Sequence, residues 1–192
     1  MVDIATQRPG DGPAIEQLLD LAFGPDRALR VSYRLRHGAA PVAALGFTAH
    51  DGSRLVGTLR FWPVAIASAD GSANGGAVPA LLLGPLAVDP GFRRRGIASR
   101  LVARGLDRAT GLGHRIVATV GDGWLFGRFG FTPAASMGLA MAGPVDEARF
   151  LALALDDGAL DGVTGVLCPA SKLCRSDQRS GKVDQAPLAG SP

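Results

Sequence analysis

The residues with the clearest chemical use lie where an apolar run, Ala80–Val88, gives way to three consecutive arginines and a glycine. Arg93, Arg94, Arg95 and Gly96 stand directly before a segment with helical periodicity. The start of a helix presents unpaired backbone N–H groups and a partial positive charge, which together favour an anion. Glycine lets the anion approach the backbone, and arginine can add bidentate hydrogen bonds. The spacing predicts a phosphate-binding loop.

Two other kinds of nucleotide-binding loop fit the sequence less well. A Walker loop needs Gly-Lys followed by Ser or Thr, whereas Gly181 and Lys182 are followed by Val183. The dinucleotide fingerprint G-x-G-x-x-G is missing from the turn between the apolar run and the helix. The pattern that remains is Arg-x-x-Gly-x-Ala over residues 93–98.

Such a loop needs a buried strand before it and a helix after it, and the flanking sequence predicts both. The continuous apolar run over 80–88 is typical of a strand covered on both faces. Apolar residues recur with helical spacing over 96–110, and residues 115–120 form a β-branched strand. Because a helix joins these two strands, we expect them to be parallel. Gly84 and Pro85 interrupt the first strand, which predicts a bulge beside a functional site, or a strand that begins only at Leu86.

The rest of the chain predicts an α/β fold with a mixed sheet and helices. An Asp-Gly turn at residues 51 and 52 indicates a hairpin. We expect helices over 12–23 and 26–37, and strands over 4–8, 42–49, 54–67, 131–141, 149–155 and 162–167.

Length and composition favour one globular domain followed by a tail. The chain has 192 residues, of which 47% are hydrophobic and 19% charged. We expect the domain to span 1–168. Residues 169–192 contain no aromatic residue and many Ser, Gly, Pro, Asp and Gln, so we expect a flexible basic tail.

Several classes of function are disfavoured by the same sequence. No apolar run reaches the roughly 20 residues that a membrane-spanning helix needs, and the first residues do not resemble a secretory signal, so we expect a cytoplasmic protein. The net charge of +3 lies mostly in the tail, without the basic stripe of a nucleic-acid binder. Cys168 and Cys174 have no histidine nearby in sequence, so we expect no metal.

At the loop the sequence resembles the GNAT superfamily of acyl-CoA-dependent N-acyltransferases. The family signature is Q/R-x-x-G-x-G/A between the fourth strand and third helix, and Arg93, Gly96 and Ala98 match it. Further similarity lies in Leu86-Ala-Val-Asp-Pro and in Gly127-Arg-Phe-Gly-Phe131. The order of the predicted elements also fits, over residues 1 to 168 in outline.

The resemblance implies a mixed central sheet of about seven strands whose fourth and fifth strands are parallel and splay apart. It implies that acyl-CoA lies between those strands, with its pantetheine arm on the backbone of Leu86 and Val88 and its pyrophosphate on the loop. An amide of Ala87 or Val88 would polarise the thioester carbonyl. The implied cofactor-binding residues are Leu86, Ala87, Val88, Arg93, Arg94, Arg95, Gly96, Ile97, Ala98 and Ser99.

The proton-transfer residues are less well defined. In many relatives a tyrosine four residues before the Gly of Gly-Phe protonates the leaving thiolate, but this chain has Phe126 there. Tyr33 is the only tyrosine, and a packed aromatic is the favoured interpretation of it. Asp122, just past the fifth predicted strand, is the candidate base, with a turn-capping role as its alternative. His50 and His114 are expected to be structural or exposed.

The resulting hypothesis is an N-acetyltransferase that moves an acetyl group from acetyl-CoA to a primary amine of a small molecule or peptide. One alternative is an acyl-CoA-binding module with little or no turnover, suggested by Phe126 at the position of the usual tyrosine. The other is transfer of a longer acyl group. Neither nucleic acid nor membrane is an expected partner, and a homodimer is compatible with the sequence.

Overall fold

A computed structural model describes residues 1–29, 31–68 and 76–170. The helices are α1 (Gly12–Phe23), α2 (Val31–Arg34), α3 (Ile97–Gly111) and α4 (Gly123–Phe126). The strands are β1 (Asp3–Thr6), β2 (Phe47–Asp51), β3 (Arg54–Ala67), β4 (Val78–Val88), β5 (Ile116–Val120), β6 (Thr132–Pro133), β7 (Leu139–Met141), β8 (Phe150–Ala154) and β9 (Gly165–Pro169).

The described strands form one mixed sheet. Its main order is β1-β2-β3-β4-β5-β8-β6, and β9 pairs with both β3 and β7. The β4–β5 and β7–β9 pairs are parallel and the others antiparallel. The long strand β3 pairs with β2 through its first half and with β9 through its last four residues. The α/β class and the parallel β4–β5 pair, both predicted from the sequence, are confirmed.

Alternating side chains of β4 build two different cores. Leu81 and Leu83 pack in the cluster that contains the apolar face of α3, whereas Leu82 packs in a second cluster with β5, β8 and β9. Gly105 allows α3 to lie close to β3, because a Cβ there would come within 2.7 Å of the Phe61 ring. A third cluster joins Ile15 of α1 and its neighbours to Ala87. The central strand is therefore buried on both faces, as its apolar run predicts.

The bulge in β4 is confirmed. Leu86 pairs with Leu59 and Leu83 pairs with Phe61, so Gly84 and Pro85 together oppose a single residue of β3. Gly84 has φ +129° and precedes a cis peptide bond to Pro85. Because this φ is one that L side chains rarely adopt, glycine suits the position.

Three predicted elements differ from the structure. Residues 131–141 were expected to form one strand, but a 3₁₀ turn over Ala134–Met137 and Gly138, with φ +71°, separate β6 from β7. The helix expected over 26–37 is a 3₁₀ turn followed by the four-residue α2, since Leu29 is exposed and no continuous apolar face anchors a longer helix. The strand expected over 42–49 begins only at Phe47. Within the described residues the sheet has nine strands, instead of the about seven that the resemblance implies.

The C-terminal strand reaches past the predicted domain boundary. Pro169 is the last residue of β9 and pairs with Val64, so the boundary placed after residue 168 falls inside a strand. The predicted tail lies almost wholly in residues 171–192, outside the described residues. Within the described ranges, no helix is long and apolar enough to cross a membrane.

Candidate active site

The two central parallel strands separate at the bulge. Residues Leu81–Leu83 pair with Val117–Thr119, and the Thr119 hydroxyl donates to the Leu83 carbonyl at 3.1 Å. Beyond Leu83 the pairing of β4 with β5 ends, although β4 continues beside β3 as far as Val88. One edge of β4 thus opens onto a gap. Peptide groups on such an edge can accept an added extended chain.

The ladder between β3 and β4 determines which peptide groups face the gap. The Asp89 amide donates to the Val56 carbonyl at 2.9 Å. In an antiparallel ladder the bonding direction alternates, so the amide of Ala87 also points to β3. The N–H and C=O groups of Leu86 and Val88 therefore point away from β3 and into the gap. Of the two amides predicted to polarise a thioester, Val88 has the right direction and Ala87 does not.

The loop after β4 turns the chain through two left-handed positions. Arg94 has φ +60° and Gly96, directly before α3, has φ +74°. The amide of Arg100 donates to the Gly96 carbonyl at 3.0 Å. The amides of Ile97, Ala98 and Ser99 precede that bond and have no intrahelical acceptor. The loop thus presents N–H groups at the positive end of the fifteen-residue α3.

A buried carboxylate fixes the shape of this loop. Asp89 accepts from the Gly91 amide at 2.8 Å and from the Arg54 guanidinium at 2.6 Å. The guanidiniums of Arg54 and Arg95 lie 5.5 and 4.8 Å from the centre of the Phe92 ring. Arg95 thus packs on Phe92, whereas the sequence predicted the same cofactor-binding role for Arg93, Arg94 and Arg95. Arg93 and Arg94 are exposed.

A cleft of about 220 Å³ lies where β4 and β5 part. Its lining comes from four places: the end of α1 with α2, the bulge of β4, the end of β5 with α4, and the turn before β8. These residues are Phe23, Ser32, Tyr33, Arg36, Leu83, Gly84, Pro85, Leu86, Thr119, Val120, Gly121, Asp122, Leu125, Phe126 and Arg149. Predicted residues Leu86 and Asp122 meet here, and the glycine-arginine loop lies beyond the far end of the β4 edge.

Asp122 lines the cleft and caps α4. Its Oδ1 accepts from the Trp124 amide at 2.9 Å, which leaves the second carboxylate oxygen for another contact. The capping alternative is therefore part of its role. The other base candidates do not line this cleft: His50 hydrogen-bonds Thr48 at 3.1 Å, and His114 precedes β5 at the end opposite Asp122.

Phe126 is a packed core residue at the edge of the cleft. Only 4% of it is exposed, and its ring meets that of Phe131 edge to face at 5.4 Å between centroids. The ring also lies against Gly121, where a Cβ would overlap it. Its aromatic shape thus serves packing, and it offers no proton to a leaving group.

Two cleft residues lie outside the predicted site: Tyr33, which was interpreted from the sequence as a packed aromatic, and Arg36, which was not singled out. The Tyr33 hydroxyl accepts from Arg27 at 3.0 Å, and the Arg36 guanidinium lies 4.2 Å from the centre of the Tyr33 ring. Burial, reinforced by the nearby charges of Arg27 and Arg60, lowers the pKa of Arg36 to about 10, against an opposing effect of Tyr33. No motif marks these residues. In the sequence Arg36 merely follows Tyr33 by three residues, just past the end of the short α2.

A gap between splayed parallel strands that ends at a helix-terminal amide loop is the fold and site of a CoA-dependent acyltransferase. Residues 13–130 match the family model described as the acetyltransferase (GNAT) family. The chain belongs to the GNAT family and is an N-acetyltransferase of that family, with a CoA-type cofactor. The resemblance predicted from the loop is confirmed.

Relatives cover nearly the whole domain. The chain is 35% identical over 164 residues to the uncharacterized N-acetyltransferase YhbS of Escherichia coli K12, covering 85% of this chain and 93% of the relative. A crystal structure of E. coli YhbS in complex with CoA superposes with a TM-score of 0.72, at 34% identity and with 88% and 89% of the two chains covered. A crystal structure of a Brucella melitensis GNAT family acetyltransferase in complex with acetyl-CoA superposes with a TM-score of 0.61. The sequence identity is 26%, and 88% of this chain and 95% of that chain are covered.

Proposed function

We propose that the protein transfers an acetyl group from acetyl-CoA to a primary amine of a small molecule or peptide. The observation that carries the proposal is the open edge of β4. The peptide groups of Leu86 and Val88 face the gap at one end, and the strand leads directly into the loop before α3. Solved relatives that hold CoA and acetyl-CoA support the choice of donor.

Acetyl-CoA would lie along β4 like an additional strand. Its pantetheine amides would pair with the backbone of Leu86 and Val88, and Ala87 would face the α1 side of the sheet. The pyrophosphate would accept hydrogen bonds from amides between Arg94 and Ser99. The exposed guanidiniums of Arg93 and Arg94 would bind outer phosphate oxygens, and Arg95 would hold the loop through Phe92.

In this arrangement the acetyl carbonyl would lie at the bulge, in the cleft. The neutral amine nitrogen would attack the carbonyl carbon, and the gap-facing Leu86 amide, which lies beside the bulge, would donate to the oxyanion of the tetrahedral intermediate. Val88 lies nearer the loop and would bind only the pantetheine arm. Collapse would break the C–S bond and release a thiolate, whose usual pKa of about 8.5 makes it a tolerable leaving group without a tyrosine. Asp122, through its uncommitted oxygen and a water, would take the proton that the amine loses.

Release of the CoA thiol, measured with a thiol reagent and a panel of primary amines, tests this proposal. We expect amine-dependent release from acetyl-CoA, faster than release with butyryl-CoA or octanoyl-CoA. Calorimetric titration with acetyl-CoA runs alongside. Binding without amine-dependent release would favour the non-catalytic module, and faster release from a longer thioester would favour a longer acyl donor. Absence of binding would refute the donor assignment itself.

A further inference from the structure

We propose that the acceptor amine also carries an anionic group, a carboxylate in the first instance, and that Arg36 binds it. This inference rests on the proposed function, because it names the substrate class of the same cleft. Arg36 is only 8% exposed and lines the cleft at the β4 bulge. Its Nε has no hydrogen-bond partner among the described residues, and none of the ion pairs found there includes it.

Two neighbouring arginines are also largely buried, and both are paired with carboxylates. Arg27 binds Glu16 at 2.6 Å and Asp20 at 2.7 Å. Arg60 binds Glu16 at 3.2 Å and Gln7 at 2.9 Å. Their side chains are 14% and 12% exposed. A buried charge is costly unless it is paired, so the absence of a carboxylate partner for Arg36 among the described residues indicates that its partner is a ligand.

The guanidinium of Arg36 is held in one orientation by its neighbours. It lies 4.2 Å from the centre of the Tyr33 ring and 5.6 Å from that of Trp62. Its Nη2 is 3.4 Å from the position that a Cβ on Gly84 would occupy. The planar donor group is thus fixed against the bulge, where the acetyl carbonyl of the donor would lie. A fixed, planar set of donors suits bidentate binding of a carboxylate.

The same cleft holds a carboxylate of its own. Asp122 lines it from the end of β5, and Arg149 lines it with Nε 3.5 Å from the Gly121 carbonyl. An acceptor with an amine and an anionic group in one small molecule would therefore meet a group of opposite charge for each. This arrangement favours an amino acid or an acidic amine over a simple hydrophobic amine.

Matched acceptors test the proposal. Wild-type protein is assayed with α-amino acids, their carboxamides, their decarboxylated amines and the corresponding aminophosphonates. We expect kcat/KM for the carboxylates to exceed that for the uncharged analogues by about tenfold or more. The aminophosphonate arm distinguishes a carboxylate from a phosphate-like group as the preferred anion. Equal use of charged and uncharged amines would overturn the proposal and leave the acetyltransferase assignment intact.

Substitution of the arginine provides the second arm. Arg36→Met should abolish the preference by raising KM for the acidic acceptors, with little change for the carboxamides, and Arg36→Lys should retain part of it. Arg108→Met, at an exposed arginine of α3 outside the cleft, is the matched control. A preference that survives in Arg36→Met, or an equal loss for charged and uncharged acceptors, would assign Arg36 a structural role.

A binding measurement makes the test independent of turnover. The N-acetylated amino acids are the products that the proposal requires, so they are titrated calorimetrically into CoA-saturated wild type, Arg36→Lys and Arg36→Met. We expect the free acids to bind wild type and to lose affinity in that order of variants. If CoA binds but neither N-acetyl acids nor N-acetyl phosphonates do, the anion site is refuted. If CoA itself does not bind, the proposed function fails first.

Discussion

Few side chains in the cleft can take or give a proton, so the account of the chemistry at the residue scale depends on Asp122. The carboxylate has one oxygen on the Trp124 amide at 2.9 Å and the other uncommitted. A general base works only when deprotonated, so a carboxylate in this role loses its effect in acid solution. Asparagine keeps the size and the capping oxygen but cannot accept the proton.

Asp122→Asn should therefore lower kcat with little change in acetyl-CoA affinity, and it should flatten the acidic limb of the pH–rate profile. Asp122→Ala is the control for the cap: it should reduce kcat similarly and, in addition, destabilise the fold by about 1 kcal/mol. Steady-state kinetics across pH and thermal unfolding of both variants make the measurement. A wild-type rate at every pH in Asp122→Asn would leave Asp122 with its capping role alone.

Phe126 provides a second prediction at this scale. Phe126→Tyr keeps the ring that packs on Gly121 and Phe131 and adds a hydroxyl at the edge of the cleft. We expect turnover to rise or stay level, since general acid catalysis accelerates a reaction only where departure of the leaving group limits the rate. Single-turnover kinetics with a reactive acceptor measure this. A drop of more than tenfold at unchanged acetyl-CoA affinity would contradict the placement of this ring beside the leaving sulfur.

Single residues also show where sequence reasoning stops. Gly96 and Arg93 could be proposed as site residues from the sequence because a local motif places them within one turn of the chain. Arg36 could not, because its proposed role depends on the lack of a carboxylate partner among the described residues, whereas Arg27 and Arg60 each have one. That lack is a property of the tertiary arrangement, and no spacing along the chain encodes it.

At the scale of elements, the proposed donor site depends on the bulge in β4 and on the turn before α3. Pairing of β4 with β5 ends at the bulge, and Gly96, in a left-handed conformation, stands directly before the first amides of α3. Both devices depend on glycine conformations. Gly84 and Gly96 have φ values of +129° and +74°. The site is therefore sensitive to backbone changes that leave the cores untouched.

Gly96→Val should abolish acetyl-CoA binding while the fold persists. A β-branched residue resists positive φ, so the loop would lose its shape, and its Cβ would occupy space that is open to a ligand. Gly113→Val is the matched control, because Gly113 has φ +79°, also has open space around its Cβ position, and lies at the other end of α3. Calorimetry of both should show loss of binding for Gly96→Val alone. Equal acetyl-CoA affinities in the two variants would show that the pyrophosphate does not bind this loop.

The elements that could be predicted are those with a continuous signal. The strand at 54–67 and the helix at 96–110 agree with β3 and α3 to within a residue, because the apolar residues that predicted them are buried in the structure. The single strand predicted over 131–141 and the helix predicted over 26–37 were wrong, since the short elements found there are held by contacts with other parts of the chain. The cleft is lined from both kinds of region, so the sequence predicted only the part of it that β4 and the end of β5 contribute.

At the scale of the whole molecule, β9 is the last strand in the described part of the chain. It pairs with β3 and β7 through Gly165–Pro169, and Leu167 is 1% exposed. We expect truncation after Ala170 to leave stability and acetyl-CoA affinity unchanged, because the removed segment has little apolar content. Truncation after Thr164, which removes β9, should lower the melting temperature by several degrees. A large loss of melting temperature on truncation after Ala170 would show that the C-terminal segment docks on the domain.

The central claim is that acetyl-CoA adds to the open edge of β4, and residue-resolved amide hydrogen exchange tests it most directly. With acetyl-CoA bound, exchange should slow at Leu86 and Val88 and at the first amides of α3, Ile97 to Ser99. Ala87, whose amide faces β3, should change little and serves as the internal control. If acetyl-CoA binds while Leu86 and Val88 exchange as fast as in the free protein, the donor lies elsewhere and this account of the site is wrong.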